Sequence, residues 1–190
     1  MKRKTIILAA LLFSATYVAQ AQYTYKPFRI DVGTGLSFPV TTFGIGILGS
    51  VEPQYSIGRI AIGARVEYHA ENNATEKDGE LVKYNSAMLL TGDYRFSSGA
   101  SRPFVGLGFG SYLMAADFVE HDDGSYSFFG QGAGAMLRAG VDMSHFRFAL
   151  HYHITGSRKH DDLKVNFNYL ALTIAVGIGG GRVSNAQEDK

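Results

Sequence analysis

Three groups of residues in this 190-residue chain have the types and spacing that chemistry requires. His151, His153 and Thr155 stand at alternate positions, where an imidazole next to a hydroxyl suits acyl transfer. Threonine is a poorer nucleophile than serine, however, and no carboxylate follows in the segment 167–179 to orient the ring. His121-Asp122-Asp123 and His160-Asp161-Asp162 offer imidazole and carboxylate groups of the kind that hold a divalent cation. Solvated loop charge accounts for the same residues. Gly106-Leu107-Gly108-Phe109-Gly110 resembles a phosphate loop, but such a loop must open a helix, and here the glycines continue at period two. None of the three outweighs its ordinary structural role. No catalytic residue, cofactor or metal is expected, and the chain reads as something other than an enzyme.

The elements that position these residues are strands. From Phe28 to Val40 the even positions are apolar or nearly so, and the odd ones include Arg29, Asp31, Gly33, Gly35 and Ser37. Period-two alternation marks a strand with one apolar and one polar face. Seven further segments repeat the pattern, at 45–57, 60–70, 82–96, 103–115, 129–141, 146–154 and 167–179. Within them every Asp, Glu, Lys, Arg and His lies opposite the aliphatic face. A charge facing lipid near the bilayer midplane costs about 2–4 kcal/mol, so a face free of charge is what a membrane barrel needs. A soluble barrel would show the same alternation with its sense reversed.

Register follows from two short turns. If Gly58-Arg59 joins a hairpin, Glu52 falls across from Arg65. If Ser144-His145 joins another, Asp142 falls across from Arg147 and Arg138 from His151. Opposite charges directly across strands favour pairing by about 0.2–1 kcal/mol. The spacing therefore predicts an inner ladder of ion pairs built from Arg29, Asp31, Glu52, Arg65, Glu67, Asp93, Arg95, Arg138, Asp142 and Arg147. An eight-stranded barrel is only wide enough for its own side chains, so such a ladder plugs it.

Export and composition point the same way. Lys2, Arg3 and Lys4 precede an apolar stretch from Thr5 to Ala19, and Ala19-Gln20-Ala21 supplies the small residues of a cleavage site. The expected organisation is a signal peptide at 1–21, one barrel domain at 22–181 and a polar tail at 182–190. The formal charge is +1, and removing the basic leader leaves a slightly acidic mature chain, which gives no reason to expect nucleic acid as partner. There is no cysteine, so neither a lipoprotein anchor nor a disulfide scaffold is available. After the leader no apolar run reaches the roughly 18–20 residues of a membrane helix.

Connections alternate in length. Gly58-Arg59, 97–102 and Ser144-His145 are short, whereas 71–81, 116–127 and 156–166 are longer and polar, as in barrels with short periplasmic turns and long outer loops. Arg102 to Tyr112 (RPFVGLGFGSY), Gly130 to Asp142 (GQGAGAMLRAGVD) and Asn168 to Gly179 (NYLALTIAVGIG) look like the small outer-membrane β-barrel family of Gram-negative bacteria, akin to OmpA- and OmpX-type barrels. The family's barrels commonly end on an aromatic residue, whereas here a polar stretch follows from Arg182. The resemblance implies an all-β fold, an eight-stranded antiparallel up-and-down transmembrane barrel, with both ends of the chain in the periplasm. It also implies a structural outer-membrane protein, monomeric, embedded in lipid and lipopolysaccharide, meeting any extracellular ligand through its loops, with roles in adhesion or envelope integrity. Two alternatives stand beside it. One is a narrow porin-like channel for small solutes. The other is a lipid A-modifying esterase, since His153-x-Thr155 is similar to the His-x-Ser pair of the lipid A 3-O-deacylases.

Overall fold

The computed structural model describes residues 26–40, 44–74, 79–120, 124–160 and 163–180. The expected leader at 1–21, the expected tail at 182–190, the residues His121-Asp122-Asp123 and the pair Asp161-Asp162 lie outside the described residues. Among the described residues ten strands follow in order: β1 Phe28–Pro39, β2 Gly44–Ile57, β3 Ile60–Ala74, β4 Gly79–Arg95, β5 Ser101–Glu120, β6 Gly124–Met143, β7 Phe146–Ile154, β8 Ser157–His160, β9 Leu163–Asn166 and β10 Tyr169–Gly179. Eight of them close an all-antiparallel barrel in the order β1-β10-β7-β6-β5-β4-β3-β2. β8 and β9 form a separate hairpin within the connection from β7 to β10.

The sense of the alternation is the decisive feature. Leu90 is 73% exposed, Ile62 55% and Leu172 56%, while Glu52 is 1% and Arg138 4% exposed. Apolar side chains cover the outside and ionised ones fill the inside, the reverse of a soluble barrel. An apolar exterior that continuous requires hydrocarbon around it. Phe28, Tyr55, Tyr94, Phe96 and Phe146 ring one end of this band, as aromatic girdles do.

Tight turns close that end. Gly58 (φ 60°) and Ser144 (φ 55°) take the left-handed conformation at the first central position of their two-residue turns, which suits the twist of the flanking strands. The β2–β3 ladder runs from Gly44↔Asn73 to Ile57↔Ile60 with a gap at Glu52 and Pro53, because the proline has no N–H to give. Gln54↔Gly63 and Val51↔Val66 bracket the gap, keeping Glu52 opposite Arg65. Across β6 and β7, Asp142 pairs with Arg147 and Arg138 with His151.

The other end departs from expectation. Stretches 71–81 and 116–127 read as polar loops, yet the β3–β4 ladder continues to Ala74↔Glu80 and the β5–β6 ladder to Glu120↔Gly124. Each of β5 and β6 is 20 residues long, about twice what a tilted strand needs to cross a bilayer. Polarity in these stretches changes what the strands face without ending them, since pairing satisfies the backbone equally well in water. On the outward face of β5 and β6, Ser111 and Gln131 hydrogen-bond each other at 3.1 Å, and exposed Leu113 and Phe129 follow them. Beyond them Asp117 carries a charge on that same face.

Candidate functional site: the charged lumen

Inward positions place the lumen side chains in tiers. Nearest the tight turns, Asp142 on β6 accepts hydrogen bonds from Arg147 Nε at 2.7 Å and Arg95 Nε at 3.0 Å. Arg29 and Arg102 approach it at 3.8 and 3.9 Å. Arg29 Nε donates to its strand neighbour Asp31. Arg147 also reaches Asp93 at 3.1 Å and Asp31 at 3.5 Å, and its guanidinium lies 4.4 Å over the Phe104 ring.

The middle tier centres on Glu52. Arg138 grips both carboxylate oxygens through two 2.7 Å hydrogen bonds, the fork geometry that makes arginine the preferred partner of a carboxylate. Arg65 Nη1 at 3.2 Å, Gln54 at 2.9 Å and Thr91 at 2.6 Å complete the shell. Arg138 Nε ties this group to Asp93 at 2.7 Å, and Arg65 Nε ties it to Glu67 at 2.8 Å. The ten inward charges read from alternation thus form one contiguous set of ion pairs. Removing two charges from water is costly, and only this degree of mutual hydrogen bonding offsets it.

Above Glu67 the lumen turns aromatic. Tyr169 OH donates to Glu67 at 2.7 Å, and the Tyr169 ring stacks between His69 and His153 with 4.2 Å centroid separations. Tyr112 OH lies 3.0 Å from His153 Nδ1. Further along, Lys83 pairs with Glu71 at 3.1 Å, and Leu89, Tyr112, Met114, Met136 and Phe167 form an apolar cluster. The glycines of β5 make room for this filling. A Cβ on Gly106 would strike the Asp93 carboxylate, and one on Gly110 would strike the Met88 carbonyl.

Reading by alternation left several members of the set out. Arg102 lay in a presumed turn, and Glu71 began a presumed loop. Lys83 already had inward parity, but its partner appears only once β3 and β4 are paired this far. Gln54 and Tyr169 are uncharged and entered no charge ladder, although parity pointed both inward.

The catalytic reading finds little support in this geometry. His151 and His153 point into the lumen, away from lipid, and His153 meets Tyr112 and Glu67. The Thr155 hydroxyl turns instead to Asn168 Oδ1. Ser37, His69 and Asn85 do form a hydroxyl–imidazole–amide chain, with 2.6 and 3.2 Å separations. All three are buried, however, and the Ser37 hydroxyl sits so close to Gly46 that even a Cβ there would collide with it. No acyl group fits. Among the described residues no group of three His, Asp or Glu side chains is arranged to hold a metal ion.

The barrel is closed, eight-stranded and antiparallel, with an apolar outside and an ionised inside. Neisserial surface protein A superposes on it with a TM-score of 0.57 at 16% identity over 82% of this chain and 99% of its own. The fold is that of the small outer-membrane β-barrels. Ail, the attachment invasion locus protein of Yersinia pestis, solved in complex with the heparin analogue sucrose octasulfate, superposes with a TM-score of 0.53 at 12% identity, over 80% of this chain and 97% of its own. No protein-family model and no curated protein matches the chain by sequence. In such a barrel a charged, hydrogen-bonded lumen is the part that decides whether anything passes through.

Proposed function

We propose that this protein is a structural component of the outer membrane whose lumen is sealed by its own side chains and whose exposed hairpins meet the surroundings. The tight-turn end faces the periplasm, after export on a cleaved leader, and the long β3–β4 and β5–β6 hairpins rise from the cell surface. The observation that carries this reading is the Glu52–Arg138–Asp93–Arg147 chain of ion pairs. It spans the lumen between facing walls and links four charges from four strands in one run. Long hairpins above the apolar band supply a surface for adhesion or envelope protection. Ail, solved with a heparin analogue, supports an extracellular ligand taken by such a surface. Lipid and lipopolysaccharide surround the barrel, which works as a monomer.

Two measurements test the proposal. Purified protein in planar bilayers should give no large, stable conductance, and a sustained open pore would overturn the sealed lumen in favour of a small-solute channel. Deletion of the gene should lower surface adhesion or envelope integrity while leaving lipid A unchanged in mass. A change in lipid A acylation would instead revive the esterase.

A further inference from the structure

The two sides of β6 end at different heights. Its ladder to β5 runs on to Glu120↔Gly124, but its ladder to β7 stops at Ala135↔Ile154. Among the described residues no strand is seated on the β7 side of β6 from Gly134 to Gly124. The neighbouring hairpin, β8–β9, forms a sheet of its own.

A bend at the root of that hairpin keeps it away. Pairing slips by one residue between Tyr169↔His153 and Ser157↔Asn166, so Thr155 and Gly156 form a bulge opposite Phe167 and Asn168. Gly156 takes φ 82°, and nothing lies within 4 Å of a Cβ there, so conformation and not space requires the glycine. Asn168 Oδ1 accepts the N–H groups of Thr155 and Gly156 at 2.8 Å each and fixes the bend.

Bent in this way, the hairpin root crosses the mouth of the barrel. Lys83 of β4, on the wall facing β10, donates to the Asn166 carbonyl at 3.3 Å. Phe167 is 2% exposed, in the cluster with Leu89, Tyr112, Met114 and Met136.

We propose that the β8–β9 hairpin is a lid, closed in this structure, whose open position is the vacant side of β6. Register supports the fit. Continuing the β6–β7 ladder in step brings Ser157 opposite Gly132 and His160 opposite Phe129. Composition supports it too, because no charge or proline, the usual guards of an open edge, occurs in β6 from 124 to 137. Rotation of Gly156 out of the left-handed region straightens β7 into β8 and draws Asn166 away from Lys83. The open form adds a strand to the β5–β6 hairpin, and the closed form keeps Phe167 covered and the Asn168 bonds made. Two packings that exchange such interactions make a bistable element. Opening uncovers Tyr112 and Met114 to the outside while the ion pairs beneath stay closed.

The test exploits the absence of cysteine from the chain, so that introduced thiols report without background. In the full chain folded in detergent, Phe129→Cys with His160→Cys should form an intrachain disulfide under mild oxidation. Ala133→Cys with His160→Cys, four residues out of step, should not. Adding Gly156→Ala, which strains the bend, should speed the first crosslink about fivefold or more, since opening precedes reaction. Asn168→Ala, which removes the acceptor, should also speed it. Separately, Met114→Cys should react with a water-soluble maleimide about fivefold faster when Gly156→Ala is present. No crosslink, equal crosslinking of the two pairs, or rates unmoved by Gly156→Ala would each overturn the lid. Should the paired variants fail to fold, the Met114→Cys labelling rates decide alone.

Discussion

Arg138 on β6 and Glu52 on β2 grip each other through two parallel 2.7 Å hydrogen bonds, although 86 residues separate them and their strands lie on facing walls of the barrel. No hairpin brings them together, and closing the barrel is what does so. The pair therefore acts as a cross-brace, and breaking one half strands a buried charge. Glu52→Gln should destabilise the folded barrel by about 3–5 kcal/mol, read as a lower urea midpoint in lipid or detergent. Replacing both partners, Glu52→Leu with Arg138→Met, should recover most of that loss. A double variant as unstable as the single one would show that the brace is not a closed unit.

Tyr169 bridges the ionic and aromatic tiers. Its hydroxyl donates to Glu67 at 2.7 Å while its ring is held between two imidazoles. Tyr169→Phe keeps the stack and removes the bond to the carboxylate, so it should cost about 1.5–3 kcal/mol. Tyr169→Ala should cost more, because it also opens a cavity between His69 and His153. Equal losses for the two variants would mean that the ring contributes nothing beyond its hydroxyl.

Outward positions obey a different rule. Leu90 is on the exposed apolar face of β4, in the middle of the band. Leu90→Arg should destabilise the barrel in lipid by about 2–4 kcal/mol. The same change at Asp117, a charged position on the outward face of β5, should be close to neutral. That contrast, measured by folding titrations into bilayers, would locate the hydrocarbon boundary on β5, and equal penalties would place it elsewhere.

Glycine spacing on β5 is a packing requirement. At Gly110 a Cβ would overlap the backbone of Met88 and Leu89, which cannot yield as a flexible side-chain tip can. Gly110→Ala should therefore lower stability by about 1–3 kcal/mol, visible as a lower heat-unfolding temperature of the folded band. Gly49, which has nothing within 4 Å of a Cβ position, should accept alanine with little change.

Much of this architecture is legible in the chain as written, because two-residue alternation is local. It assigned each strand's inward and outward face, and two short turns were enough to place Glu52 opposite Arg65 and Asp142 opposite Arg147. Strand ends were not legible in this way. Polar stretches such as 116–127 look like loops, yet the ladder runs on to Glu120↔Gly124, because backbone pairing does not depend on the hydropathy that marks the membrane.

The sequence by itself therefore determined which side chains enter the lumen and which meet lipid, since a pleated strand leaves each residue only two directions. Only the tertiary structure decided which inward charges touch. Arg138 reaches Glu52, and Asp93 is shared with Arg147, because barrel closure sets the distances between strands far apart in the chain. Parity is a property of one strand, whereas partnership is a property of the closed cylinder.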